Sequence, residues 1–583
     1  MSIRLINTST LRLASFLGDQ TPNYAILSHT WKHGEEISFQ DMLSISENPH
    51  HPAIQRSGYE KIVKICQQAR NDGIAYAWVD TCCMDKTSSA ELSENINSMY
   101  QWYRRAEICY AYLPDYDITS AASCEIALPN CRWFTRGWCL QELIAPSRLE
   151  FLDAQWSRIG SRAEMTALIS KITGIDEGVL LDSRLVDSVP VARRMSWAAG
   201  RETTREEDLA YCLLGIFGVN MPMLYGEGTK AFTRLQEEII KISNDLSIFA
   251  FKPTSRNSDL ESTQPYCHLL ASCPTDFIGC RGLVHARVNS HWNNAFALTN
   301  KGLHFQRVEL HADARHGLYS ILLNCEISES QPARLYVRKV GPGLYAKYDE
   351  HCIDSLPSSP DFKICPNDHA YVEQDVYIIR NVSPSVRVQI SRAEEYAIHV
   401  RSRSDFSHGA FQFLQRVATS DRWDASRMQF LTKGEPSIRG FWKVFPSLAL
   451  ARKATTAPGP ATGQVVDDVE DLNIPSAHFY LVCGLEHRCS ESPAAEPRAW
   501  VRLFTLEEWR ALEKRWGIIT NMVDVAGLGD SGTSCDQLLL GTNPKNMTRV
   551  VAVIRLVDDG RPKYELEINF ENVDKEVASR LVS

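Results

Sequence analysis

Glu142 is the residue of this chain best set to do chemistry. It sits in Trp138-Cys-Leu-Gln-Glu142-Leu143, a run with helical spacing. On a helix over 136–144, Leu140, Leu143 and Ile144 form the buried face, and Trp138 and Glu142, four apart, share another. A carboxylate beside an indole in a cleft suits glycosyl transfer: the anion stabilises an oxocarbenium-like ribose and the ring stacks on a planar leaving base. An exposed helix glutamate is the plainer reading of the same letters. Further polar groups gather where strands should end: Ser28, His29 and Trp31 in one place, Asp80, Thr81 and Asp85 in another. Ligands of an open parallel sheet meet the carboxyl ends of its strands. Ser28 and Asp80 could equally cap the loops they begin, and His29 could be a satisfied loop histidine.

The elements that would position these groups alternate between strand and helix, the signature of a parallel α/β sheet. Tyr24-Ala-Ile-Leu-Ser28 reads as a buried strand, and Ile62, Ile65, Cys66 and Ala69 mark one face of a helix that stops near Asn71-Asp72-Gly73. Tyr76-Ala-Trp-Val-Asp80 is the next strand. Ser88 and Glu91 have capping-box spacing, and Leu92, Ile96, Met99 and Tyr103 continue the helix that follows. Ile108–Leu113 and Leu149–Asp153 supply a third and a fourth strand. The expected domains are an α/β domain over 1–157, a helical segment over 158–245 that includes Asp208–Phe217 and Thr229–Ile242, and a β-rich, sandwich-like domain over 246–583. Phe479-Tyr-Leu-Val, Ala499-Trp-Val-Arg-Leu and Val550-Val-Ala-Val-Ile are among the strands of the last, and 454–468 reads as a flexible loop.

Composition narrows the function. A net charge of -9 and a pI near 6.0 give no overall pull toward nucleic acid. No run of ~18 uncharged apolar residues predicts a membrane span, and Met1-Ser-Ile-Arg-Leu-Ile does not read as a signal peptide. The seventeen cysteines are scattered, and reduced thiols in the cytoplasm are the expectation. Cys82 and Cys83 are adjacent with no second pair nearby, so no zinc site is expected. Gly527-Leu-Gly-Asp-Ser-Gly532 has no following Lys and reads as a turn rather than a phosphate loop.

Three segments carry a resemblance. Tyr24-Ala-Ile-Leu-Ser-His-Thr-Trp31, the block from Gly58-Tyr-Glu-Lys-Ile to Tyr76-Ala-Trp-Val-Asp-Thr-Cys-Cys-Met-Asp-Lys86, and Arg132-Trp-Phe-Thr-Arg-Gly-Trp-Cys-Leu-Gln-Glu-Leu143 resemble, in order, the motif blocks of the fungal heterokaryon-incompatibility (HET) domain. Downstream, Arg193–Arg205 and Asp208–Gly228 resemble the helical segment that accompanies it, so the likeness covers roughly 1–250. The HET domain is in turn held to be distantly similar to the TIR domain, a flavodoxin-like fold. Plant-type TIR domains carry a Trp-Cys-Leu-x-Glu-Leu helix whose glutamate is required for NAD hydrolysis.

That resemblance implies Glu142 as the catalytic carboxylate, Trp138 as a pocket aromatic, Ser28 as the serine ending the first strand, and Asp80 to Lys86 as the loop gating the pocket. The TIR arginine after that serine is absent here, where Ser28-His29-Thr30-Trp31 stands, so pyrophosphate contacts fall to Lys32, Lys86 or Arg136. The implied function is an effector of incompatibility and programmed cell death, with NAD as substrate rather than cofactor. It would be activated by self-association or by a protein partner in trans. A non-catalytic scaffold acting through homotypic association competes with it. A cysteine hydrolase using Cys139 or Cys83 with His29 is a third reading without a supporting spacing.

Overall fold

The computed structural model describes residues 2–119, 124–254, 265–286, 295–313, 316–328, 331–349 and 371–393, and beyond them 397–402, 411–414, 423–424, 426–427, 429–431, 438–446, 479–486, 498–505, 535–540, 548–558 and 562–572. The chain divides into two compact units. The first comprises Met1–Gln264, Leu270–Leu298 and Leu322–Leu335, and the second Pro265–Leu269, Thr299–Ile321 and Tyr336–Ser583.

The first unit is built on a mixed sheet. Its strands are β1 (Ser2–Asn7), β2 (Leu13–Leu17), β3 (Ala25–His29), β4 (Tyr76–Trp78), β5 (Ile108–Tyr112), β6 (Leu149–Leu152) and β7 (Arg158–Ser161), in the order β2-β1-β4-β3-β5-β6-β7. The four central strands are parallel: Ala25 pairs with Ala77 on one side of β3 and with Ile108 on the other, and Cys109 pairs with Leu149. β1 joins β4 antiparallel, β2 joins β1 antiparallel, and β7 joins β6 antiparallel. The expectation of a parallel sheet is therefore corrected to a parallel centre with antiparallel flanks. β1 buries Ile3 and Leu5 on one face and Ile6 on the other, and its partner β4 lies some seventy residues away in sequence. β3 is buried along its whole length, as a strand covered on both faces requires.

The helices follow from capped amphipathic stretches. α1 (Phe39–Glu47) starts from a capping box between Ser38 and Asp41, and α2 (Ser57–Asn71) buries Ile62, Ile65, Cys66 and Ala69 as its spacing predicts. Each of the two isoleucines contributes about 1.5–3 kcal/mol by leaving water. α3 (Asp80–Cys83) is a single turn where the sequence suggested the end of a strand. α4 (Ser89–Arg105) is capped by Ser88 and buries Ile96, Met99, Trp102 and Tyr103. After α5 (Cys124–Ala127), the short α6 (Arg132–Thr135) and α7 (Cys139–Ile144) meet at an elbow of Arg136, Gly137 and Trp138. α7 packs on α4 and β3, and α2 on β3 and β4.

The following segment contains α8 (Thr166–Thr173), α9 (Glu177–Leu181), α10 (Val191–Ser196), α11 (Asp208–Tyr211), α12 (Leu214–Phe217) and α13 (Lys230–Ile242). α12 lies so close to α4 that a Cβ on Gly215 would stand 2.1 Å from Tyr100 Cβ, which only glycine permits.

The second unit is rich in strands. Gly302–Asp313 pairs antiparallel with Tyr371–Ile378, with a bulge between Phe305 and Val308. Phe479–Glu486 lies between Ile438–Pro446 and Arg498–Thr505, and Thr548–Asp558 between Cys535–Leu540 and Pro562–Asn572. The flexible loop expected at 454–468 and the turn at 527–532 lie outside the described residues.

Candidate functional site

Strand geometry places the first group. Ser28 and His29 are consecutive at the carboxyl end of β3, so their side chains leave on opposite faces of the sheet. Ser28 faces α7, where its hydroxyl donates to a carboxylate oxygen of Glu142. The Trp133 indole N–H in turn donates to Ser28 Oγ at 2.7 Å. Trp133 is held edge-on against Phe134 and Phe151, with ring centroids 5.0 and 5.6 Å away. Glu142 is only 7% exposed, which overturns the reading of an exposed helix glutamate. Burial pushes its carboxyl up to about 7, against the Ser28 hydrogen bond; Asp80 pushes the same way, while Arg136 and the Cys139 thiol oppose.

The elbow before α7 is fixed from the helical segment. Glu202 N–H donates to Thr135 O at 2.7 Å, Gly137 N–H to Glu202 O at 2.9 Å, and the buried Arg201 guanidinium to Arg136 O at 2.9 Å and Trp197 O at 3.1 Å. A Cβ on Gly137 would lie 2.6 Å from Thr203 Cγ2. Trp138, expected to share a face with Glu142, gives its indole N–H to Asp208, which also accepts from the Tyr225 hydroxyl at 3.0 Å. Trp138 keeps helical backbone one turn before Glu142, but the indole that bonds the Ser28–Glu142 pair is that of Trp133 on α6.

The second group lies on the other face. Lys61 of α2 donates to His29 Nδ1 at 3.2 Å, and since an ammonium only donates, the ring proton belongs on Nε2 and is given to Asp80 at 3.0 Å. Trp31 Nε1 donates to the second Asp80 oxygen at 3.0 Å, and the Lys86 ammonium stands 3.8 Å from that oxygen and 3.7 Å from the Trp31 ring centroid. Burial pushes the Asp80 carboxyl up, but Lys86, His29 and Trp31 together outweigh it and hold it at about 2. Two carboxylates at one edge of the sheet are thus driven apart, one permanently charged and one titrating near neutrality.

Of the other expected residues, Asp85 caps its own turn, accepting from Thr87 N and Oγ1 at 3.0 and 2.6 Å, and does not join the Asp80 group. Arg136 lies near Glu142, and Lys32 is exposed. The sequence reading missed Trp133, Lys61, Arg201 and Asp208. Trp133 stands within the third motif block without a signal for its role, and nothing in local spacing hinted at Arg201, some sixty residues from Glu142. The hydrolase geometry is not formed: His29 bonds Asp80 and Lys61, while Cys139 bonds Glu142 and is pushed well up by burial. Among the described residues no group of His, Cys, Asp and Glu is placed to hold a metal, and no helix is long and apolar enough to cross a membrane.

Comparison with known proteins gives two matches. Residues 24–126 match the family model described as heterokaryon incompatibility protein (HET). Over 227 residues the chain is 48% identical to vegetative incompatibility protein HET-E-1 of Podospora anserina, a stretch that covers 38% of this chain and 16% of that protein. The chain therefore matches only a small part of the relative's length, and the family match ends before Glu142. No solved structure matches.

Proposed function

From the premise that this chain carries a HET domain, we propose that it acts in fungal heterokaryon incompatibility and programmed cell death by hydrolysing the nicotinamide–ribose bond of NAD. The observation that carries the reading is the buried Ser28–Glu142 pair at the carboxyl end of β3, with Glu142 titrating near neutrality. The parallel strands run β4-β3-β5-β6, the second, first, third and fourth in chain order. That order supports a flavodoxin- or TIR-like fold, whose ligands enter between the first and third strands, beside Ser28.

In the proposed reaction the ionised Glu142 carboxylate stabilises positive charge growing on the ribose C1′. The C1′–N bond breaks with its electron pair leaving on nicotinamide, which departs neutral. Water then forms the new C1′–O bond and gives up a proton, which Glu142 accepts. Trp133 and Ser28 position the carboxylate rather than touch substrate. Free thiols at Cys66, Cys82, Cys83 and Cys109 suit a cytoplasmic setting.

The near-complete burial of Glu142 favours a second reading, a scaffold acting by homotypic association in which the pair only braces the fold. The test is to incubate the purified chain with NAD at several protein concentrations and follow nicotinamide release, with Glu142→Gln alongside. Release by the parent and at least ~100-fold less by a folded Glu142→Gln supports hydrolysis. Unchanged killing by that variant in cells leaves the scaffold.

A further inference from the structure

Just beyond the carboxyl end of β3, two cations flank Trp31 with donors that are largely unoccupied. Asp80 cannot fully engage Lys86, because one of its oxygens takes the His29 N–H, the other takes the Trp31 N–H, and the Lys86 ammonium remains 3.8 Å off. Among the described residues Lys86 makes no hydrogen bond. Its position is nonetheless fixed, 3.7 Å from the centroid of a Trp31 ring that is itself pinned through its indole nitrogen. Burial pulls the ammonium below its ordinary range, with Asp80 opposing. On the other side of the same residue, Arg132 gives one N–H to Trp31 O at 3.2 Å while its own backbone N–H is held by Asp115 at 2.7 Å. The remaining guanidinium donors point to no described partner, and the side chain is exposed. Trp31, 39% exposed, is thus a rigid strut that carries a point charge on its ring and a planar fork on its carbonyl.

We propose that Lys86 and Arg132, set on either side of Trp31, bind the diphosphate of a nucleotide ligand. The inference rests on the proposed NAD chemistry for the ligand's identity, but not for the existence of the site. Arg132 supplies the bidentate fork that phosphate oxygens take up, and Lys86 a point charge. The strut follows β3 by two residues, so a diphosphate held there lies beyond the carboxyl end of the strand that carries Ser28. Arg136, whose carbonyl is tied to Arg201 and whose charge is directed at Glu142 and Cys139, is not part of this subsite.

Calorimetry on the full chain with ADP, inorganic pyrophosphate and adenosine tests it. ADP and pyrophosphate should bind, more weakly as salt rises, and Lys86→Gln and Arg132→Gln should each weaken ADP about tenfold or more while leaving adenosine unchanged. Lys86→Arg should restore most of the loss. Equal ADP affinity in parent and both Gln variants, or no ADP binding by the parent, overturns the proposal. The two proposals fail separately. ADP binding that depends on both cations without NAD loss sinks the hydrolysis and keeps the subsite, whereas NAD loss undiminished in both variants sinks the subsite and keeps the hydrolysis.

Discussion

The single hydroxyl proton of Ser28 is committed to Glu142, because Trp133 already donates to the serine oxygen at 2.7 Å. The pair is therefore polarised in one direction, with the carboxylate as acceptor. That polarity favours the ionised glutamate and works against the burial that disfavours it.

Ser28→Ala removes the opposing hydrogen bond and orphans the Trp133 N–H. The Glu142 carboxyl, at about 7 in the parent, should move up. If NAD loss requires the ionised form, the rising limb of its pH profile shifts alkaline by about one unit. The fold should lose about 1–3 kcal/mol in urea unfolding. An unmoved limb with normal stability would remove Ser28 as a positioning residue.

Glu142→Gln should stabilise the fold at alkaline pH. The folded-state carboxyl lies at about 7 against an ordinary 4.5, so its buried protonated form is favourable below 4.5 and that advantage disappears as pH rises through 7. A neutral amide escapes the burden, which is about 3 kcal/mol at pH 8. Thermal unfolding at pH 5 and pH 8 checks it: the variant should gain on the parent only at the higher pH.

Asp80→Asn has the opposite sign. A carboxyl held at about 2 instead of 3.8 contributes stability that is complete above 3.8 and is lost as pH falls through 2. The variant should lose about 2 kcal/mol at pH 7 and progressively less below pH 4. Trp31, deprived of its anchor, should become more accessible to acrylamide in fluorescence quenching.

Gly215→Ala should destabilise the first unit by about 3 kcal/mol, since the added methyl would lie 2.1 Å from Tyr100 Cβ and must push α12 off α4. Chemical denaturation measures this directly. A tolerated alanine would mean that the helices separate easily.

The parts of the fold legible in sequence are those fixed by local period. The apolar spacing of Ile62, Ile65, Cys66 and Ala69, the Ser88 cap, and the continuous apolar runs of β3, β5 and β6 all give elements where the chain forms them. The strands around Phe479, Ala499 and Val550 likewise form. What local period cannot encode is partnership across distance. β1 finds β4, Arg201 finds the carbonyl of Arg136, and Lys61 finds His29, each through tertiary packing alone. Trp138 misled for the same reason: it stands one helical turn before Glu142 as the spacing predicts, but its indole is taken by Asp208, a partner some seventy residues away. Glu142 itself was legible as a residue, but its burial was not, because α7 is covered on every side and so shows no polar face.

The bridge from Glu202 to Thr135 and Gly137 has a consequence for inheritance. A carboxylate whose preceding elbow is latched by residues some sixty positions downstream cannot be traded between proteins as a short N-terminal cassette. Recombination that joined residues 1–157 to a foreign continuation would deliver the glutamate without the latch on its elbow. The smallest heritable piece that keeps the elbow's supports runs through at least Asp208, so substitutions at Arg201, Glu202 and Asp208 should be selected together with those at Thr135–Trp138.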